Sequence, residues 1–153
     1  MKKISDNISY KEATRSETAQ RLGISNKPKK EHIENMELIA EKIFQPLREW
    51  VDHPIRINSF YRSEELNRRI GGALSSAHKD GLAMDLDSLG GKTNLEMFHY
   101  IKDNLEFDQL IWEFGAEPKW IHVSWSKKKN RKQVLVTKRK GKYYVYTDCK
   151  GCK

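Results

Sequence analysis

Long apolar runs are missing from this chain. No stretch approaches the ~20 consecutive apolar residues of a membrane-spanning helix, so no span is expected. No apolar segment follows Met1-Lys2-Lys3 either, so no secretory signal is expected. Synthesis in the cytoplasm follows as an expectation, and a substrate outside the cell would need another agent to bring the protein to it. Cysteine is confined to Cys149 and Cys152 near the end of the chain. One Cys-x-x-Cys supplies half of a structural zinc site, and no second pair completes it. The pair reads instead as a reversible disulfide, or an incidental pair, on a frayed tail. Internal repeats and low-complexity linkers are absent. Acidic residues are nearly absent beyond Lys127, where Asp148 stands against eleven Lys and Arg. The segment 127–153 therefore carries +10 of the net +8, and the preceding residues about −2. Such a segment suits an anionic surface, whether nucleic acid, membrane or wall polymer. A solvated Lys-rich β-hairpin explains it equally well.

Apolar residues are present in periodic blocks, which excludes disorder of the whole chain. At 37% hydrophobic and 33% charged the protein is polar, yet four Trp, six Tyr and five Phe suffice for one core. One domain over residues 1–153 is expected, with its core at about 30–126 and a basic hairpin and tail at 127–153. A short helix is predicted around Glu12–Leu22. Ile33, Met36, Ala40, Ile43, Leu47 and Trp50 mark one stripe of an amphipathic helix that Pro46 should kink or split. Ile55–Phe60 alternates as a strand, Ser63 caps a helix that Gly71-Gly72 ends, and Ala83–Leu86 is a short strand. Thr93 with Glu96 forms a capping box for another helix. Strands at Gln109–Phe114 and Trp120–Trp125 follow, then a hairpin turning at Arg139-Lys140-Gly141. Helices and strands mix without regular alternation, so the predicted class is α+β.

Five histidines offer metal ligands. His32 and His99 fall on helices with ordinary neighbours and His53 precedes Pro54, so all three read as structural or solvated. His78 lies in a Gly/Ser-rich loop. Asp85 interrupts the apolar strand Ala83-Met84-Asp85-Leu86, where a carboxylate is costly unless paired or bound to a cation. In Trp120-Ile121-His122-Val123-Ser124, alternation puts Trp120, His122 and Ser124 on one face. Two His and one carboxylate make a three-ligand zinc set with a fourth position left for water.

These residues carry a resemblance. Ser76-Ala77-His78-Lys79-Asp80-Gly81-Leu82-Ala83-Met84-Asp85 matches Ser-x-His-x-x-Gly-x-Ala-x-Asp, and Trp120–Ser124 matches Trp-x-His-Val-Ser. Phe60-Tyr61-Arg62-Ser63 resembles the Tyr-Arg-Ser segment of the same proteins. Together they look like the zinc D-Ala-D-Ala carboxypeptidases and L-alanyl-D-glutamate endopeptidases, whose fold is shared with Hedgehog signalling domains. The likeness covers about Ile55–Trp125. It implies a small antiparallel sheet with helices packed on it, zinc held by His78, Asp85 and His122, and hydrolysis of peptide bonds in bacterial peptidoglycan. It further implies that Arg62 binds a substrate carboxylate or carbonyl and that Ser76 contacts the substrate backbone.

One position departs from the pattern. The acid expected three residues before the last His is Lys119, which cannot accept a proton while charged. Glu113 and Glu117 are the replacements, and Glu113 is preferred because it ends an apolar strand whose setting would raise its pKa. Asp108–Glu113 also looks like phage-type relatives. A phage or prophage lysin acting at the cell wall after release, or a virion component, is the expected setting. Anionic wall polymers are expected partners of the basic tail, and a monomer is expected. The alternatives are a zinc-bearing module that binds peptidoglycan without cutting it, and a nucleic-acid-binding protein using residues 127–153.

Overall fold

The computed structural model describes residues 3–140 and 143–149. Strands β1 (Lys3–Ser5) and β2 (Ile8–Ser9) pair antiparallel and lead into α1 (Tyr10–Thr14) and α2 (Glu17–Leu22). The single helix expected over Glu12–Leu22 is thus two. Ser9 and Glu12 form a capping box that starts α1 early, and the Ser16 hydroxyl accepts the Ala19 amide to start α2 afresh. Ile4, Ile8 and Ala13 are buried in the main core, so the core begins well before residue 30.

The predicted stripe helix is split as Pro46 requires. Helices α3 (Lys30–Ile39) and α4 (Gln45–Val51) flank one π-helical turn, Ala40–Phe44, in which the Gln45 amide reaches the carbonyl of Ala40. Proline lacks the N–H that would continue the regular ladder, and the wider turn absorbs the mismatch. Met36, Ile39, Ala40, Ile43, Phe44, Leu47 and Val51 stay buried across the junction.

Six further strands form one sheet: β3 (Ile55–Ser59), β4 (Ala83–Ser88), β5 (Gln109–Glu113), β6 (Trp120–Ser124), β7 (Gln133–Lys140) and β8 (Tyr143–Asp148). Their order is β3-β4-β6-β5-β7-β8. The class is α+β as expected, but the main sheet is larger than expected and mixed, because β5 and β7 run parallel. After β6 the chain turns around Ser126 and Asn130 and crosses to the far side of β5. There Arg131 grips both oxygens of Asp108 at 2.9 and 3.0 Å, and the Gln133 amide bonds the Asp108 carbonyl. The predicted hairpin is β7–β8, paired from Leu135↔Asp148 to Lys140↔Tyr143 and continuous with the sheet, so that Arg139 and Lys140, expected in its turn, are strand residues instead. Gly141 of its turn and Cys152 of the Cys pair lie outside the described residues. Cys149 donates its amide to Val134 and packs against the core.

The sheet is two-sided. Ile57, Met84, Leu86, Leu110, Ile121 and Val123 are buried on one face against α6 (Asn94–Asn104), which contributes Met97, Phe98 and Ile101, and against the α3–α4 pair. Each such side chain contributes roughly 1.5–3 kcal/mol of burial. The other face carries Asp85, His122 and Glu113. Between β3 and β4 lie α5 (Glu64–Arg69), capped by Ser63, and a 3₁₀ turn, Ala77–Asp80. Among the described residues no helix is long and apolar enough to cross a membrane.

Gly81 ends the 3₁₀ turn at φ +74°, and a Cβ there would lie 2.7 Å from the His32 carbonyl oxygen and 2.9 Å from Met36 Cγ. Gly23 has φ +67° but open space around it. Gly23→Ala should therefore cost only the left-handed conformation, about 1–2 kcal/mol. Gly81→Ala should cost measurably more in a denaturant titration, because α3 must also give way.

Candidate active site

His78 is held on every side. Its amide reaches the Ser76 hydroxyl at 3.3 Å, its carbonyl accepts the Arg62 amide at 3.0 Å, and its ring Nδ1 lies 2.7 Å from the Phe60 carbonyl oxygen. A carbonyl only accepts, so Nδ1 carries the proton and Nε2 presents a lone pair. That Nε2 is buried and has no hydrogen-bond partner. It stands 3.3 Å from Asp85 Oδ2, while His122 Nδ1 stands 3.0 Å from Asp85 Oδ1. Asp85 and His122 are direct partners across β4 and β6, so strand register puts them together. Donor atoms of the three residues all lie within 4.8 Å of one another.

Electrostatics favour a cation here. Burial pushes the His78 imidazole towards its neutral form, with Asp85 acting in the opposite direction. Burial also works against charge on Asp85, yet the flanking imidazoles, when protonated, outweigh it and hold the carboxyl far below the usual range. A lone pair facing a carboxylate oxygen in a buried site is unfavourable until something positive sits between them. Two imidazoles and one carboxylate are the donor set that zinc accepts while keeping a further position open, so the residues fit that metal.

The group lies in a cleft of about 940 Å³. Its walls include Arg62, Ser76, Glu113 and Trp120, and, from the C-terminal hairpin, Leu135, Tyr144 and Tyr146. Arg62 donates from Nη2 to the Ser76 hydroxyl at 3.3 Å, and its buried Nε has no partner. The loop bearing it is clamped by the N-terminal segment. Asn26 donates to the carbonyls of Thr14 and Tyr61 and accepts the Ser63 amide at 2.7 Å. The Tyr61 amide bonds the Ala13 carbonyl.

Glu113 is 8% exposed and accepts a 2.6 Å hydrogen bond from the Thr137 hydroxyl. Burial raises its pKa above the ordinary glutamate value, partly offset by Thr137 and His122. Glu117 is exposed and does not line the cleft, and Lys119 is exposed with its backbone amide bonded to the Glu113 carbonyl. The structure thus brings together His78, Asp85, His122, Arg62, Ser76 and Glu113. The other histidines stay apart: His32 accepts the Lys29 amide and packs on Tyr61, His53 lies against the Pro54 carbonyl, and His99 meets the Phe98 ring.

A family model described as Peptidase M15 matches residues 6–124, from before α1 to the end of β6. The chain belongs to the peptidase M15 family. No curated protein matches it. M15 peptidases are zinc-dependent metallopeptidases, and among the described residues the His78-Asp85-His122 group is able to hold a metal. What the sequence did not disclose is the hairpin's share of the cleft. The alternation Gln133, Leu135, Thr137 was its one local signal, and it does not say which strand β7 joins.

The metal-loaded peptidase is expected to carry one zinc per chain by elemental analysis. His78→Ala should carry none. His32→Ala and His99→Ala should bind zinc as the unaltered chain does.

Proposed function

We propose that this peptidase hydrolyses an amide bond in the stem peptides of bacterial peptidoglycan, as a D-Ala-D-Ala carboxypeptidase or an L-alanyl-D-glutamate endopeptidase. The observation that carries the catalytic reading is Glu113, a buried carboxylate with a raised pKa in the same cleft as the metal-binding group. Peptidoglycan as the source of the peptide is supported by the Ser-x-His-x-x-Gly-x-Ala-x-Asp resemblance and by the basic segment 127–153, which suits anionic wall polymers. A cleft of this size takes a short peptide.

His78, Asp85 and His122 hold the zinc. When bound, it supplies a Lewis acid that acidifies a water and polarises the scissile carbonyl. Glu113 takes the proton of the attacking water on its carboxylate and passes it to the leaving amine nitrogen. Arg62 offsets negative charge on the substrate with its remaining Nη donors, and Ser76 holds that guanidinium while contacting the substrate backbone. The setting that fits is release from the cytoplasm to the wall as a phage-type lysin, or carriage as a virion component.

Lys119, standing where related enzymes have their acid, favours one competing reading: a module that binds zinc and peptidoglycan without turnover. Mass analysis of fragments from defined muropeptides decides between them and names the bond. The wild type should release a single new amine per cleaved peptide. Glu113→Gln should keep one zinc, lose kcat by about 100- to 10,000-fold, and unfold at no lower temperature, because it removes a charge that burial disfavours. Absence of turnover in the zinc-loaded wild type would establish the binding module. Glu113 must be ionised to accept a proton. Its raised pKa therefore predicts that kcat/KM declines on acidification sooner than for an exposed glutamate.

A further inference from the structure

Residues 125–149 lie beyond the segment matched by the family, yet part of them is built into the cleft. Strand register draws three side chains into one row. Glu113 on β5 is the direct partner of Thr137 on β7, and Thr137 is the direct partner of Tyr146 on β8. Side chains at paired positions project from the same face of a sheet, here the face that carries Asp85 and His122.

We infer that Thr137 is a positioning residue for Glu113, so that the β7–β8 hairpin belongs to the catalytic apparatus. The inference rests on the proposed role of Glu113 as the proton acceptor. Thr137 is 1% exposed, and its single hydroxyl proton goes to Glu113 Oε1 at 2.6 Å. Tyr146, the register partner of Thr137 on β8, lines the same cleft.

Two consequences follow for the carboxylate. One oxygen is tied down, which leaves the other to face the cleft and exchange a proton. The side chain also loses rotational freedom, which a group transferring protons over hydrogen-bond distances cannot retain without losing rate. Tyr146 is exposed and lines the cleft together with Glu113, Asp85 and Arg62.

Threonine allows a clean separation of roles, because its methyl and its hydroxyl can be removed one at a time. If Thr137 only fills space in a strand, Thr137→Val should serve well and Thr137→Ser should be the damaged variant. If it positions Glu113, the order reverses. Expected is a fall in kcat of about 10- to 100-fold for Thr137→Val, with KM near that of the wild type, on a soluble muropeptide that the zinc-loaded wild type cleaves. Thr137→Ser should stay close to wild type in kcat despite a lower melting temperature.

A second readout needs neither turnover nor metal. Carbon-13 NMR of side-chain carboxyl groups, with the Glu113 signal assigned by its disappearance in Glu113→Gln, should show its pKa rising in Thr137→Val and holding in Thr137→Ser. Wild-type kcat in Thr137→Val together with an unmoved Glu113 signal would overturn the inference, as would a Thr137→Ser variant as impaired as Thr137→Val. Full activity in Glu113→Gln would instead overturn the role given to Glu113, leaving the NMR comparison to report whether Thr137 holds the carboxyl.

Discussion

The register of β4 against β6 is the constraint on which the site depends. Asp85 faces His122 only because Met84 pairs with Val123 and Leu86 with Ile121, one residue to either side. Those four apolar residues are fully buried. A slip of one position would carry them into the cleft and bury the metal-binding groups among α6 and α3, at a cost no local rearrangement could offset. The core is therefore what aims the chemistry. His78, the third member, does not come from a strand, and its alignment needs separate means. The Ser76 cap, the Arg62 amide and the Phe60 carbonyl fix its backbone and its tautomer together.

That division explains what could be read from the residues in advance. His122 and Asp85 were legible because alternation within an apolar strand assigns faces, and a buried carboxylate demands a partner. The caps at Ser63 and Thr93 and the break at Pro46 were legible because each is decided within four or five residues. Glu113 was read by the same local logic, as an acid ending an apolar strand, and it lines the cleft whereas Glu117 is exposed outside it. The split of the first helix and the use of Ile4, Ile8 and Ala13 in the core were not legible. They depend on β1 pairing with β2 and docking against α3, which no short window of sequence contains.

The hairpin was the least legible element, for a related reason. Composition described residues 127–153 as a basic appendage, and a β-hairpin was predicted there, but nothing local says that β7 lies beside β5. The decision is made by Asp108, whose carboxylate takes the Arg131 guanidinium and whose carbonyl takes the Gln133 amide. These bonds start the parallel pairing that ends with Thr137 against Glu113. An acid just before β5 thus sets the surroundings of an acid at its end. The arrangement also offsets a cost, since a carboxylate as buried as Glu113 would be destabilising without a strong donor.

The position of the positive charge along β7 follows from the same topology. β5 accompanies β7 only as far as Thr137, and Lys138, Arg139 and Lys140 continue into the part of the hairpin that outruns it. Up to Thr137 the strand has neighbours on both sides and carries Val134, Leu135, Val136 and Thr137. Beyond it, β8 is the one strand that pairs with β7 among the described residues. Lysine and arginine are what an uncovered strand end uses to avoid pairing with another chain. Three of the eleven basic residues of 127–153 are thus placed by the hairpin's length, while Lys127, Lys128, Lys129, Arg131 and Lys132 precede β7.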